Sequence, residues 1–197
     1  MQVELLDHTR CPEDVIANAA ATCYGTDRSP GANKKRIEHL MRVGHHSPLR
    51  FAYATFRISG VSRVESHQHV RVAHAGVLQR SQRYTQATKS IVRPPSFSKA
   101  SNASKDAITI AENAAIEAYE LLLKDGVPME DARYILPQAS TTEFVMTGNF
   151  QMWNDWIKNR NNPQAQWEIR EVAMRIQAML SGIAPNIFPS RYPSGVC

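Results

Sequence analysis

The sequence has few cysteines and no long apolar segment. The three cysteines among its 197 residues stand at positions 11, 23 and 197, an odd and scattered set that predicts no disulfide framework. Sparse cysteine is typical of a reducing compartment, so we expect a cytoplasmic protein. The apolar runs are far below the roughly 20 residues that a membrane span needs, and we expect no membrane partner. The acids Glu4 and Asp7 argue against a secretory signal.

Several common site motifs are also missing. The chain contains no GxGxxG, GxxxxGK[ST] or GxSxG sequence, so dinucleotide-binding, P-loop and α/β-hydrolase chemistry lack their usual support. All seven histidines fall at or before position 74, but no cysteine or carboxylate cluster accompanies them. We therefore predict no metal site. Packing, polar contacts and direct ligand contacts remain open roles for these histidines.

The charge that is present is unevenly distributed. Arginine supplies 16 of the 23 basic residues, and the net charge is +5. Residues 40–99 carry ten basic residues and one acid, Glu65, a balance of 10 − 1 = +9, whereas the rest of the chain has 13 basic and 17 acidic residues, or −4. Arginine favours fork-like recognition of carboxylate or phosphate. The basic segment therefore predicts either an anion-binding pocket or an arginine-rich surface for nucleic acid.

The pattern of helices and strands indicates an α+β fold, because the elements intermix without regular βαβ spacing. A strand at 51–58 is predicted to end at Gly60. The capping box at 62–65 predicts a helix over 63–75. Ser104 is expected to cap the clearest helix, 104–124, and Asn149 to cap a helix that runs to about Arg160. Pro163 is predicted to open the last helix.

Two features offer groups that bind anions. Arg80 and Arg83 bracket Ser81 and Gln82 in a polar loop, which brings together guanidinium, hydroxyl and amide donors suited to a phosphate monoester. Arg133 follows Glu130 by one helical turn. Either Arg133 forms a structural ion pair with that glutamate or it contacts a ligand.

Four ordered segments resemble one enzyme family. Residues 66–71 (SHQHVR) and 81–84 (SQRY) resemble the Arg-His-Arg-x7-Ser signature of flavin-dependent thymidylate synthases, the thymidylate synthase-complementing proteins. The turn HHSP at 45–48, the helix EDARYILP at 130–137 and the block from Asn159 to Arg170 resemble three further motifs of that family, in the same order. The resemblance covers residues 1–185.

The resemblance implies a homotetrameric α+β enzyme with a mixed sheet and packed helices. Residues 1–197 would form one domain, with a helical portion at about 104–136. The enzyme would bind FAD and dUMP between subunits, take its carbon from methylenetetrahydrofolate and its reducing equivalents from NADPH, and make dTMP without a cysteine nucleophile. It implies no nucleic-acid partner.

The resemblance also assigns residues to the site. Arg160 would be the catalytic cation beside the uracil. The implied dUMP contacts are Gln68, Arg71, Ser81, Gln82, Arg83, Arg133 and Arg160. The implied FAD contacts are His45, Ser47, Arg71, Gln79 and Asn149.

The sequence departs from the family on the flavin side. The family's Arg-His-Arg is Arg71-Val72-Ala73 here, Gln151 replaces the arginine of an Asn-Ala-Arg motif, and Asp155 stands where Asn or His is usual. His74 and His69 are candidate substitutes for the lost donors. Two versions follow: a synthase with rearranged flavin contacts, or a paralogue with an intact nucleotide pocket and another C5 modification, such as hydroxymethylation of a pyrimidine deoxynucleotide.

Overall fold

The computed structural model describes residues 1–69 and 72–190. The strands in this part of the chain are β1 (Gln2–His8), β2 (Tyr53–Ser62), β3 (Gly76–Gln79) and β4 (Thr141–Asn149). Its α-helices are α1 (Pro12–Tyr24), α2 (Pro30–Val43), α3 (Arg63–Ser66), α4 (Asn102–Lys124), α5 (Met129–Ala132), α6 (Phe150–Arg160) and α7 (Trp167–Ile183). Short 3-10 helices include Ser47–Phe51 and Arg133–Ile135. The α+β prediction is confirmed.

The strands form one sheet in the order β1-β2-β4-β3. The sheet is antiparallel, not mixed as the resemblance implied. Backbone hydrogen bonds show the pairing of β2 with β4, because Arg63 N donates to Ser140 O at 3.1 Å and Phe150 N donates to Ala52 O at 2.8 Å, at opposite ends of the two strands.

Strand β2 continues through Gly60, so the prediction that it ends there is wrong. Gly60 has φ +66°, a conformation that glycine adopts without the strain of a side chain. A Cβ built at this position would lie 3.2 Å from the backbone nitrogen of Met1. The glycine thus lets the strand pass close to the N-terminus and continue to Ser62.

The helix predicted over 63–75 is also wrong in length. Its start is correct, since Ser62 Oγ accepts a hydrogen bond from Glu65 N at 3.0 Å, but α3 ends at Ser66. His74 has φ +65°, and β3 begins two residues later. Pairing of β3 with β4, including a bond from Arg80 N to Glu143 O at 2.9 Å, outweighs the local helical preference.

Helix caps explain the other boundaries. Asn149 accepts from Met152 N at 2.9 Å and caps α6, as predicted. Ser101, not Ser104, caps α4 by accepting from Ser104 N at 3.2 Å. Gln166 caps α7, which starts at Trp167 and not at Pro163.

The described residues divide into two compact units. The first contains residues 1–2, 59–69 and 78–144, including α3, α4 and α5. Helix α4 packs against α5 and the 3-10 helix Arg133–Ile135, within the predicted helical portion. Buried residues of this unit include His69, whose Nε2 lies 2.6 Å from Glu65 Oε1 and whose ring lies 4.7 Å from that of Phe144.

The second unit contains residues 3–58, 72–77 and 145–190. Helix α1 packs on α2, and α6 packs on α7 and on the 3-10 helix Ser47–Phe51. Trp153 is fully buried, stacks edge-on against Phe56 and Trp156, and donates its indole N–H to Ala54 O at 3.0 Å. No helix among the described residues is both long and apolar enough to cross a membrane.

Candidate active site

A group of charged residues in the first unit, here called the arginine cluster, comprises Arg63, Arg83, Glu130 and Arg133. Arg83 forms an ion pair with the carboxylate of Glu130. Arg133 Nε donates to the backbone carbonyl of Glu130 at 3.0 Å. Glu130 thus positions both arginines, but its carboxylate pairs with Arg83, so the alternative of a Glu130–Arg133 ion pair is not what the structure shows.

Arg63 is the member that the sequence did not indicate, except as part of the capping box. It is half-buried, and burial, followed by the positive charge of Arg133, lowers the pKa of its guanidinium. No hydrogen bond or ion pair joins this guanidinium to a residue in the described part of the chain. The cluster therefore holds three guanidiniums and one carboxylate, which pairs with Arg83, and its net formal charge is 3 − 1 = +2.

The loop that holds Arg83 is shaped by Ser81. Ser81 Oγ accepts from Arg83 N at 3.1 Å, and the Ser81 carbonyl accepts from Thr85 N at 3.1 Å and Thr85 Oγ1 at 2.6 Å. Gln82 is half-buried in the same turn. Arg80 lies 3.6 Å from Glu143 in an ion pair, so Arg83 is the loop's guanidinium that belongs to the arginine cluster.

Two predicted glutamine contacts also lie in the first unit. Gln79 donates its side-chain amide to Ser66 Oγ at 2.9 Å and to Thr142 Oγ1 at 3.1 Å, so both amide hydrogens are used within the fold. Gln68 is half-buried after α3, with its amide 3.4 Å from Val64 O.

The second unit contains a cavity of about 460 Å³, here called the α6 cavity. Asn149, at the start of α6, and Arg160, at its end, both contribute to the lining. Arg160 is half-buried, and its guanidinium forms no hydrogen bond or ion pair with the described residues. The lining consists of Arg50, Val72, Ala73, His74, Asn149, Gln151, Met152, Asp155, Trp156, Asn159 and Arg160.

Arg50 was not indicated by the sequence. It lies on the 3-10 helix Ser47–Phe51, and its Nε donates to Gln151 Oε1 at 2.7 Å. This contact joins residues 101 positions apart, so no local pattern reports it. Arg50 and Arg160 give the cavity two guanidiniums against the carboxylate of Asp155.

His45 and Ser47 are exposed on the turn before Arg50 and do not line the α6 cavity. The neighbouring His46 is half-buried, and burial, with Lys158 adding to the effect and Asp155 opposing it, lowers the pKa of its imidazole. Arg71, a predicted contact of both nucleotide and flavin, lies outside the described residues. No group of three or more His, Cys, Asp or Glu side chains suited to a metal occurs within residues 1–69 and 72–190.

Comparison with known proteins identifies the family. The model of the thymidylate synthase complementing protein family matches residues 4–186. The chain belongs to this family. A flavin-dependent thymidylate synthase from Geobacter sulfurreducens is 37% identical over 207 residues, which cover 98% of this chain and 88% of that protein. One from Clostridium tetani is 33% identical over 221 residues, covering 100% and 88%.

A solved structure has the same fold. The UMP/dUMP methylase PolB from Streptomyces cacaoi, bound with 5-Br dUMP, superposes with a TM-score of 0.84, covering 96% of this chain and 93% of that one. The two sequences are 22% identical, so the likeness concerns the fold.

The departures from the thymidylate synthase complementing protein pattern fall in one place. Val72, Ala73, Gln151 and Asp155 all line the α6 cavity. Of the two histidines considered as substitutes, His74 lines the same cavity, whereas His69 is fully buried against Glu65 and Phe144 in the first unit. His69 is therefore a core residue and not a replacement donor.

Proposed function

We propose that this chain is a flavin-dependent thymidylate synthase that converts dUMP to dTMP. The observation that carries the proposal is the arginine cluster, in which Arg83 pairs with the Glu130 carboxylate, Arg133 bonds to the Glu130 backbone carbonyl, and Arg63 lies within the electrostatic influence of Arg133. A phosphate monoester carries close to two negative charges at neutral pH and accepts hydrogen bonds from several donors, so it matches the cluster's excess of +2. The names of the relatives supply the nucleotide and the reaction.

The nucleotide contacts follow from this match. Arg83 and Arg133 would bind the phosphate, and Ser81 would add its hydroxyl and the backbone amides of its turn. Gln68 and Gln82, both half-buried, would contact the nucleoside through their amides. Arg71 completes the proposed set. Binding by preordered guanidiniums costs little side-chain entropy, because Glu130 already holds two of them.

Arg160 is the proposed catalytic residue. A fixed guanidinium beside the uracil stabilises the negative charge that develops at N3 and O4 and so makes C5 nucleophilic. Arg160 suits this role because it lines the α6 cavity and forms no hydrogen bond or ion pair with a carboxylate of the described residues. Its charge is therefore available to the substrate.

The α6 cavity fits the flavin that the relatives' names imply. Its volume of about 460 Å³ lies within the range of roughly 300–1,000 Å³ of small-molecule sites. Its lining combines Trp156, the amides of Asn149 and Gln151, and two arginines, a donor set suited to an anionic, aromatic cofactor. When bound, FAD supplies the hydride chemistry of the reaction. Of the proposed FAD contacts, Asn149 lines this cavity, His45, Ser47 and Gln79 do not, and Arg71 lies outside the described residues.

The further reactants and the assembly are part of the same proposal. Methylenetetrahydrofolate would donate the carbon and NADPH the reducing equivalents. The enzyme would be a cytoplasmic homotetramer with active sites shared between subunits. Leu78, Tyr84 and Tyr134 support an assembly, since they are 82%, 74% and 86% exposed in the single chain, and large exposed apolar side chains often mark subunit contacts.

The test is the reaction itself. Purified protein with dUMP, methylenetetrahydrofolate, NADPH and FAD is expected to show flavin absorbance and to form dTMP. Hydroxymethyl-dUMP as the only product would instead support the paralogue. No flavin binding and no change in the nucleotide would refute the proposed function. Salt-dependent binding of long DNA or RNA in its place would favour the nucleic-acid alternative.

A further inference from the structure

We propose that Arg50, held by Gln151, binds the phosphate groups of the flavin cofactor in the α6 cavity. It thereby replaces guanidiniums that the family pattern has at positions 73 and 151. The inference rests on the proposed function, since it takes FAD as the ligand of this cavity.

The hydrogen bond to Gln151 orients Arg50 and leaves most of its N–H donors available for a ligand. Only Nε donates to Gln151 Oε1, at 2.7 Å. The guanidinium has five N–H donors, so the four on its terminal nitrogens remain. None of the four has a hydrogen-bond acceptor among the described residues. Although the side chain is exposed, it is already oriented at the cavity that it lines.

The charges of the residues that line the α6 cavity also assign phosphate binding to Arg50. Without Arg50, the charged arginine and carboxylate side chains of the lining are Arg160 and Asp155, whose formal charges cancel. Arg160 is moreover assigned to the uracil. Arg50 is therefore the cation left for a pyrophosphate, and arginine recognises phosphate oxygens through paired N–H donors.

The replacement at position 151 fits this arrangement. An arginine there would repel Arg50 and offer it no acceptor, whereas the side-chain carbonyl of Gln151 accepts its Nε–H. The 3-10 helix Ser47–Phe51 packs on α6, which keeps the two residues adjacent. Gln151 is thus a positioning residue for Arg50, and the guanidinium reaches the cavity from a different element.

The experiment compares cofactor affinities by fluorescence titration of the full chain with FAD and with riboflavin, which lacks phosphate. Arg50→Gln is expected to weaken FAD binding by about 10- to 100-fold, the effect of one charge-assisted hydrogen-bonded contact. Riboflavin binding is expected to stay unchanged. Arg42→Gln is the matched control, because Arg42 is an exposed arginine of the same unit that bonds to His39 and does not line the cavity.

A second variant restores the lost charge. Ala73 is exposed and lines the cavity, so Arg50→Gln combined with Ala73→Arg is expected to recover most of the FAD affinity. Equal FAD affinity in wild type and Arg50→Gln would overturn this inference alone. An equal loss for FAD and riboflavin would also overturn it, because the contact would then not be with phosphate. A wild-type protein that binds neither flavin would overturn the proposed function as well.

Discussion

Replacement of Arg160 by alanine tests the proposed chemistry most directly. The residue ends α6, is half-buried, lines the α6 cavity and has no ion-pair partner among the described residues. Its loss therefore breaks no salt bridge among residues 1–69 and 72–190. A cation at a helix C-terminus contributes roughly 0.3–1 kcal/mol to stability, so the variant is expected to fold with only a small drop in melting temperature.

The kinetic effect should be much larger than the effect on stability. Two unit charges about 4 Å apart interact by about 4 kcal/mol at an effective dielectric constant of 20. Since the charge on the uracil is shared between N3 and O4, we expect Arg160 to lower the barrier by about 2–4 kcal/mol. Its removal then lowers kcat by roughly 30- to 1,000-fold. The affinity for dUMP is expected to fall by less than about 10-fold, because the arginine cluster remains intact.

The assay is release of the C5 proton of dUMP under saturating substrates, with nucleotide affinity measured separately by calorimetry. Arg160→Lys provides the matched control, since it keeps the charge and loses the planar fork, and it should retain part of the rate. Unchanged turnover in Arg160→Ala would refute the assigned role. A loss of dUMP affinity as large as the loss of kcat would show that the residue only binds substrate.

Three further outcomes are expected. Arg63→Gln should weaken dUMP binding about 10-fold in calorimetry and leave deoxyuridine binding unchanged, because the lost guanidinium belongs to the proposed phosphate site. Equal dUMP affinities in wild type and variant would remove Arg63 from that site. The pKa of His46 is lowered in the folded state from 6.5, so the unfolded chain takes up the proton first, and stability should fall as pH drops from about 6.5 towards the folded-state pKa. Thermal melts of His46→Gln should show a flatter pH dependence. Trp153→Phe should cost about 2–4 kcal/mol in urea unfolding, since it leaves Ala54 O without the indole donor and opens a small void.

Local signals in the sequence predicted those parts of the fold that short-range contacts determine. The cap of α6 was predictable because the Asn149 side chain bonds to a backbone amide three residues later. The start of α3 was predictable for the same reason. The end of α3 was not predictable, because the chain after Ser66 leads into β3. That strand pairs with β4, whose residues lie more than 60 positions away.

The geometry of the candidate site was predictable to a similar extent, although the roles of its residues stay predictions. The composition of the loop with Ser81 and Arg83 predicts an anion site. In the structure Arg83 pairs with Glu130, whose backbone carbonyl accepts a hydrogen bond from Arg133. Arg50 and Arg63 could not be identified in this way. Arg50 is oriented by Gln151, which lies 101 positions away in the sequence. Arg63 is distinguished by its burial and by the nearby charge of Arg133. Neither property leaves a pattern in the neighbouring residues.

The concentration of unusual residues around the α6 cavity has a consequence for selective inhibition. A compound designed to fill the space beside the small Ala73 side chain and to bind the Arg50 guanidinium would collide with the arginine that the family pattern places at position 73. Analogues of dUMP would offer no such discrimination, since the residues proposed to bind the nucleotide follow the family pattern. Selectivity for this protein among its relatives should therefore be sought in ligands of the cavity and not in nucleotide mimics.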